Sequence, residues 1–393
     1  MSEDSNPGEK KSSGINLSVL REQIDHLDAS ILKSLSDRQE IVRKVISSKI
    51  DSVKEVRDPK REEQLLAKIR RMAREVNLDP YFAEQLFRDV IFQSVRYQTH
   101  TLVDHQNKQN ASRQIRVGYQ GAAAAFSYQA AERHFEERYS DIRYIGFHTF
   151  EEAIQALEND QVDVAILPIE NTTAGSINET YDIVARDHLH IIGEEVLRVH
   201  HVLAGVDEVD PQHIRRIIAH PLTISQCSGY LSALPRVSIE SFTDSGMAAR
   251  KVRDDDDLSQ AALISPYAAD HYGLKVIDPH PANHDEIYTR FVVISKDKIV
   301  SDPQFPSKIS LLLTTVHERG ALFSCLKVLD EYGINMTKLE SRPRSDKPWQ
   351  YQFYLDIDGN TNEMKTQDAL RDLESKAASL KILGCYPKQD VNG

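Results

Sequence analysis

The sequence predicts three folding units in series: an all-helical first part, an α/β centre and a small α+β module at the end. Three observations carry this prediction. No Gly or Pro occurs from Ile15 to Asp58, while apolar residues recur there at three- and four-residue steps. From about Ile115 to Lys296, short apolar runs alternate with helix-like segments. Over the last ~80 residues the order becomes strand, helix, strand, strand, helix, strand.

Composition narrows the class. The 393 residues are 40% hydrophobic and 27% charged, as in ordinary globular proteins. No apolar run approaches the ~18 residues that span a bilayer, so no membrane role is expected. The first stretch, MSEDSNPGEKKSSG (residues 1–14), lacks a secretory apolar core; a disordered tail and a cytoplasmic location are expected. A formal charge of −12 gives no support to nucleic-acid binding. Cys227, Cys325 and Cys385 are scattered without CxxC spacing, which predicts reduced, buried thiols and no metal site.

The helical part spans residues 15–104. Leu17, Leu20, Ile24, Leu27, Ile31 and Leu35, continued by Val42, Val45 and Ile46, form one stripe. They predict a helix about 50 Å long that needs a partner for its apolar side. Asp58-Pro59 and Asp79-Pro80 each place a capping carboxylate before a first-turn proline, and so start two more helices. Residues 105–114 are a polar linker. In the α/β centre (115–297), "IRVGYQG", "VDVAILPIEN", "RRIIAHP" and "QAALISP" are buried-strand segments, and their alternation predicts a largely parallel sheet. A second linker at 298–307 precedes a ferredoxin-like βαββαβ unit at 308–387.

Charged and polar side chains fall at particular spacings. Arg38 and Lys49 lie three helical turns apart, so they project from nearly one side. Ser94 and Gln98 share a face at i, i+4, and Arg61 and Glu62 open the second helix. Arg21 is rotated from Arg38 by about a quarter turn and cannot serve the same pocket within one chain. In "IYTRFVVIS", Arg290 enters an apolar strand and must reach water or an anion, because an unpaired buried charge costs several kcal/mol or more.

"LREQIDHLDASIL", "DRQEIVRKVISSK", "VRDPKRE" and "QSVRYQ" together resemble the all-helical chorismate mutase domain of bacterial P-proteins, an intertwined dimer. The resemblance implies that Arg21 (from the partner chain), Arg38 and Lys49 grip the carboxylates of chorismate. Lys49 and Gln98 then donate to its ether oxygen. Glu62 and the Asp58 backbone address the ring hydroxyl, with Arg61 and Ser94 supporting; Asp58 is equally a helix cap. A pericyclic rearrangement needs a held conformer and fixed donors, not a nucleophile.

"GYQGAAAAFS", "PIENTTAGS", "AHPLTISQC" and "IYTRFVV" in this order resemble prephenate dehydratase, whose two α/β lobes enclose a cleft as in periplasmic binding proteins. The resemblance implies Thr289 as the donor to the departing hydroxide and Arg290 as a carboxylate anchor. Glu170, Asn171, Thr172, Gln226 and Phe291 would line the same cleft, Glu170 alternatively as an orienting residue behind it. The family's turn G-P-x-G-[ST]-[FY]-[ST] is here Gly121-Ala-Ala-Ala124-Ala125-Phe126-Ser127. Ala124 would be strained if the turn needs positive φ, Ala125 lacks the hydroxyl, as in the arogenate-using branch of the family, and Ile287 stands where the family often has Asn. A mutase fused to an arogenate-preferring dehydratase, or to an inactive ligand-binding lobe, is the alternative.

Finally, "GAL" (Gly320, Ala321, Leu322) and "NMTKLESRP", with Asn335, Glu340, Ser341 and Arg342, resemble the phenylalanine-binding motifs of the ACT regulatory module. Without that resemblance Glu340–Arg342 reads as a polar turn before Pro343. The implied whole is a dimeric, cofactor-free enzyme of phenylalanine biosynthesis. It takes chorismate to prephenate and prephenate to phenylpyruvate, with feedback by L-phenylalanine.

Overall fold

The computed structural model describes residues 17–49, 59–106, 114–136, 138–234, 236–301, 306–344 and 351–389. The chain divides into two units, Met1–Lys54 and Glu55–Gly393.

The first unit is α1 (Leu17–Lys49), an uninterrupted helix of 33 residues. Its predicted stripe is present and exposed over its first half, at Leu17, Leu20, Ile24, Leu27 and Ile31, whereas Leu35 and Val42 are half-buried and Ile46 is buried.

The second unit begins with α2 (Pro59–Glu75) and α3 (Pro80–Gln106). Asp79 caps α3 as its sequence predicts, its carboxylate accepting from the Tyr81 amide at 3.0 Å. Ile69, Ala73 and Ala83 pack between the two helices with Leu65 and Phe87. Glu84 fixes the pairing by accepting from Arg70 and Arg88, each at 2.7 Å.

The centre consists of two sheets. The first holds β1 (Gln114–Gln120), β2 (Asp141–Phe147), β3 (Val164–Asn171), the short β4 (Gly175–Ser176) and β5 (His190–Arg198), with α4 (Phe126–Phe135), α5 (Phe150–Glu158) and α6 (Asn178–Val184). The second holds β6 (Val202–Gly205), β7 (Arg216–Ala219), β8 (Ser238–Ser241), β9 (Gln260–Ile264) and β10 (Lys275–Asp278), with α7 (Pro221–Gln226), α8 (Ser228–Ala233), α9 (Ser245–Asp255) and α10 (Pro266–His271). The chain then returns through β11 (Tyr288–Ser295) into the first sheet, whose order is β2-β1-β3-β11-β5.

That return corrects the expectation of a largely parallel sheet. β11 runs antiparallel to both β3 and β5, and β6 runs antiparallel to both β9 and β10. Each lobe is mixed because the chain crosses between lobes twice, and a returning strand enters against its neighbours.

The last module is β12 (Ser307–Thr314), α11 (Ala321–Glu331), β13 (Met336–Pro343), β14 (Tyr351–Asp358), α12 (Met364–Lys376) and β15 (Ser379–Pro387), with sheet order β13-β14-β12-β15. This is the predicted βαββαβ arrangement. Its helices cover one face over Leu311, Leu355 and Leu373. Its other face, with Tyr354, Leu383 and Tyr386, shares a core with Val292 and Ile294 of β11.

Two neighbouring carboxylates on β5 tie these parts together. Glu195 is fully buried and accepts from Arg96 of α3 at 2.8 Å. Glu194 points to the opposite face, where Lys308 of β12 donates to it at 2.7 Å. Close approach of β15 to β5 depends on Gly384, where a side-chain carbon would overlap the carbonyl oxygen of Ile191. Gly384→Ala is therefore expected to lower stability by about 1–3 kcal/mol through overpacking. A urea titration reads this as a lower midpoint, and an unchanged midpoint would mean that the two sheets separate without cost.

Candidate active site

The two sheets of the centre enclose a cleft of about 330 Å³. Its floor is the junction of β3 and β11, where Asn171 and Thr289 stand opposite each other. Asn171 Nδ2 donates to Thr289 Oγ1 at 2.8 Å, and both side chains are buried. The orientation of that amide is fixed from behind. Asn171 Oδ1 accepts from the Thr173 amide and hydroxyl (3.0 and 2.7 Å) and from the Ala174 amide (3.0 Å), so Nδ2 is the atom left to face Thr289. A hydroxyl that accepts here keeps its own hydrogen for a ligand in the cleft.

The chain of bonds continues across to the second lobe. Gln226, the last residue of α7, donates to Thr173 Oγ1 at 2.6 Å and to Asn171 Oδ1 at 3.3 Å. Its Oε1 is thereby turned to His201 Nε2, 2.8 Å away, which makes Nε2 the protonated nitrogen of a neutral imidazole. Burial holds that ring neutral, pulling its pKa from 6.5 down to about 4. Phe126, at the start of α4, packs edge-on against it with ring centres 5.6 Å apart. The sequence reading missed His201 and Thr173. Thr173 lies inside the quoted "ENTTAG", but "VHHV" carries no spacing or turn signal that marks His201.

Thr289, Asn171, Gln226 and Phe291 therefore come together at one cleft. Arg290, Glu170 and Thr172 do not. Side chains alternate along a strand, so if Thr289 and Phe291 face the cleft, Arg290 faces away. Its guanidinium donates to Glu194 at 2.8 Å, to Asp356 of β14 at 2.5 Å and to the Tyr386 hydroxyl at 2.9 Å. The anion it meets is a pair of protein carboxylates, and the expectation of a substrate carboxylate is corrected. Glu170, paired with Arg290 in the register, shares that far face and takes Lys338 of β13 at 2.8 Å. Thr172 accepts from the Tyr288 amide at 3.0 Å and holds the entrance of β11.

In the turn before α4, Ala124 has φ +62°, the left-handed backbone that the alanine substitution put in question. The strain is about 1–2 kcal/mol. It is offset in part by a fully buried methyl that packs with Val202 and Ile218. Ile287 is fully buried, so its side chain serves the core.

The residues expected to meet chorismate are distributed over the three helices. Arg21 and Arg38 lie on α1, Lys49 is its last residue, and Arg61 and Glu62 lie in the first turn of α2. Ser94 and Gln98 are half-buried one turn apart on α3, Ser94 donating to the Val90 carbonyl at 2.7 Å. The side chain of Lys49 and all of Asp58 lie outside the described residues.

In the last module Gly320 adopts φ +80° and Ala321 and Leu322 open α11. Asn335 donates to Asp358 at 2.9 Å. Glu340 and Arg342 turn toward the centre, to the Ser176 hydroxyl (2.7 Å) and to Asp182 (3.3 Å), while Ser341 is exposed between them. Among the described residues, no group of three or more His, Cys, Asp or Glu could hold a metal ion, and no helix is long and apolar enough to cross a membrane.

A two-lobed α/β cleft with a hydroxyl donor on its floor, preceded by a helical unit, defines a multidomain enzyme. Comparison with known proteins makes this specific. Residues 20–99 match the type II chorismate mutase family and residues 117–299 the prephenate dehydratase family. The bifunctional chorismate mutase/prephenate dehydratase of Escherichia coli (strain K12) is 35% identical over 375 residues, covering 95% of this chain and 97% of that protein. The chain belongs to this bifunctional family. An Arabidopsis thaliana chloroplast protein, arogenate dehydratase/prephenate dehydratase 2, is 34% identical over 71% of this chain and 74% of its own length. Among solved structures, the prephenate dehydratase of Arthrobacter aurescens in complex with L-Phe aligns with a TM-score of 0.64 at 25% identity, over 70% of this chain and 91% of that one.

The buried His201 predicts a pH dependence of stability. The unfolded ring takes a proton near pH 6.5, whereas the folded ring resists one until about pH 4. The unfolded chain thus binds more protons between those values, so stability present above pH 6.5 falls as the pH drops toward 4. The full share is about 3 kcal/mol. His201→Gln should remove that share from a urea–pH series; an unaltered acid slope would show that His201 contributes none of it.

Proposed function

We propose that this chain catalyses two consecutive steps, chorismate to prephenate and prephenate to phenylpyruvate, under feedback by L-phenylalanine. The observation that carries the dehydratase step is the Asn171–Thr289 hydrogen bond, which leaves the hydroxyl hydrogen of Thr289 directed at the cleft. As prephenate loses its ring carboxylate as CO2, the C–C electrons enter the ring and the C–O electron pair leaves with the hydroxyl oxygen. Aromatisation drives the step. Thr289 donates to that oxygen as its charge develops, and the oxygen leaves as water after taking a proton. Asn171, Gln226 and Phe291 hold the donor and shape the cleft.

For the mutase step, Arg38 and Lys49 bind the carboxylates, and Lys49 and Gln98 stabilise the ether oxygen. Asp58, Glu62, Arg61 and Ser94 complete the pocket, and Arg21 is supplied by a partner chain. The exposed apolar stripe of α1 supports a dimer, because a helix of this length needs a covering partner. For feedback, Gly320–Leu322, Asn335 and Glu340–Arg342 of the ACT-like last module bind the effector. The Arg290–Asp356 ion pair supports transmission, since it joins that module to the strand that carries Thr289. A preference for arogenate is the second reading. It is favoured by Ala125 in place of a hydroxyl residue and by the similarity to the Arabidopsis protein.

The test is the purified full-length protein given chorismate, prephenate or arogenate, with phenylpyruvate and phenylalanine followed as products. Phenylpyruvate from both chorismate and prephenate supports the reading; phenylalanine from arogenate alone supports the second. Prephenate that accumulates without any aromatic product would sink the dehydratase half. Thr289→Ala should lower the dehydratase kcat by about 10²–10³-fold and spare the mutase, the scale of losing one preorganised donor. Arg38→Ala should do the reverse. Asp356→Asn should raise the phenylalanine concentration for half-inhibition by about tenfold, a coupling loss within the usual range. Unchanged inhibition would remove this ion pair from the route.

A further inference from the structure

With Arg290 committed to Glu194 and Asp356, the described residues give the cleft no cationic anchor: none that lines it is Lys or Arg, and burial favours the neutral form of both its histidines, His201 and His220. A substrate with two carboxylates still has to be oriented there. The carboxylate that is lost as CO2 gains nothing from a fixed cation, and the Phe126, Phe150 and Phe291 side of the cleft suits it. The carboxylate that stays in the product needs donors.

Five helix starts reach the cleft, and three are already satisfied, the first by Thr149, whose hydroxyl accepts from the Glu152 amide at the start of α5 (3.1 Å). His220 Nδ1 accepts from the Leu222 amide at the start of α7, and the Asp244 carboxylate accepts from the Met247 amide at the start of α9 (2.8 Å). The other two lack a side-chain cap: the short α6, of seven residues, which starts behind Ile177, and the ten-residue α4, whose N-cap is Ala125. An independent observation points to α4. Ser127, in its first turn, is only 6% exposed and lines the cleft. Among the described residues its hydroxyl has no hydrogen-bond partner and is open to the cleft. The left-handed Ala124 turns the chain into this helix start.

We propose that the open N-terminus of α4, together with the Ser127 hydroxyl, is the binding site for the retained carboxylate of the substrate, in place of an arginine. This rests on the dehydratase reading and adds the recognition element that reading lacks. Aligned amides at a helix start carry partial positive charge and present N–H groups to an anion. Asp244, which also lines the cleft and packs beside Gly121 in the turn before α4, spends its charge on the Met247 amide.

The test compares phenylpyruvate with its neutral methyl ester by calorimetry on the full-length protein, in wild type and Ser127→Ala. The acid should bind at least about tenfold tighter than the ester, and Ser127→Ala should weaken the acid by about tenfold while leaving the ester unchanged. In kinetics, the same substitution should raise KM for prephenate with kcat within about twofold, the pattern of a lost uniform binding contact. A melting midpoint equal to wild type guards against misfolding. Equal binding of acid and ester by wild type, or unchanged acid binding in Ser127→Ala, overturns the proposal whatever the enzyme turns over. If wild type discriminates acid from ester but does not consume prephenate, the carboxylate site stands and the dehydratase reading falls.

Discussion

The buried pairing of Arg290 with Glu194 and Asp356 is the constraint on which the arrangement of the larger unit depends. Two cations, Arg290 and Lys308, meet two carboxylates, Glu194 and Asp356, so the cluster is neutral overall. Burial alone lowers the guanidinium pKa, but the facing Tyr386, Glu194 and Asp356 more than reverse it and hold it well above its ordinary value. Asp356 shows the mirror image: burial raises its pKa, and Arg290 and Lys308 bring it below the usual carboxylate range. Ser310 and Tyr386 fill remaining hydrogen-bond positions. Such a cluster adds little net stability against an apolar replacement, yet removing one member leaves a charge stranded at about 3–5 kcal/mol. It therefore fixes where the last module docks.

Much of this architecture can be read from the chain. Heptad-like spacing sets the length of α1, Asp-Pro pairs set the starts of α2 and α3, and the strand-helix order of the last module appears as predicted. The misplacement of Arg290 is instructive because the rule that prevents it was available. Thr289 and Arg290 are adjacent in a strand, as are Asn171 and Glu170, and adjacent strand residues cannot share a face. A family motif read as a contiguous word invites the error; read with a period of two, it divides into a cleft side and a docking side. What no local pattern could supply is the partner. Asp356 lies far along the chain in another module, and the antiparallel entry of β11 depends on a return from the second lobe.

Legibility fails differently inside the cleft. Asn171, Gln226, Thr289 and Ser127 sit in distinctive words, whereas His201 owes its place to tertiary closure. His201 is identified by the amide orientation of Gln226 and by its own burial. Ser127 is singled out by lining the cleft with no hydrogen-bond partner among the described residues. Both signals are absences or orientations that exist only after the lobes close over each other.

The period of two also has a mechanical consequence. β11 carries Thr289 and Phe291 on the cleft side and Arg290, Val292 and Ile294 on the docking side, so one rigid strand belongs to both environments. Glu194 and Glu195 repeat the device on β5, one carboxylate serving the last module and the other Arg96 of α3. Packed strands do not deform continuously, so a change in how the last module grips Arg290 reaches Thr289 as a displacement or not at all. The distance between the Asn171 amide and the Thr289 hydroxyl, 2.8 Å at present, is the coordinate most exposed to such a shift. A lengthened bond there would free the hydroxyl to turn, and the donor would lose its aim while the cleft kept its shape.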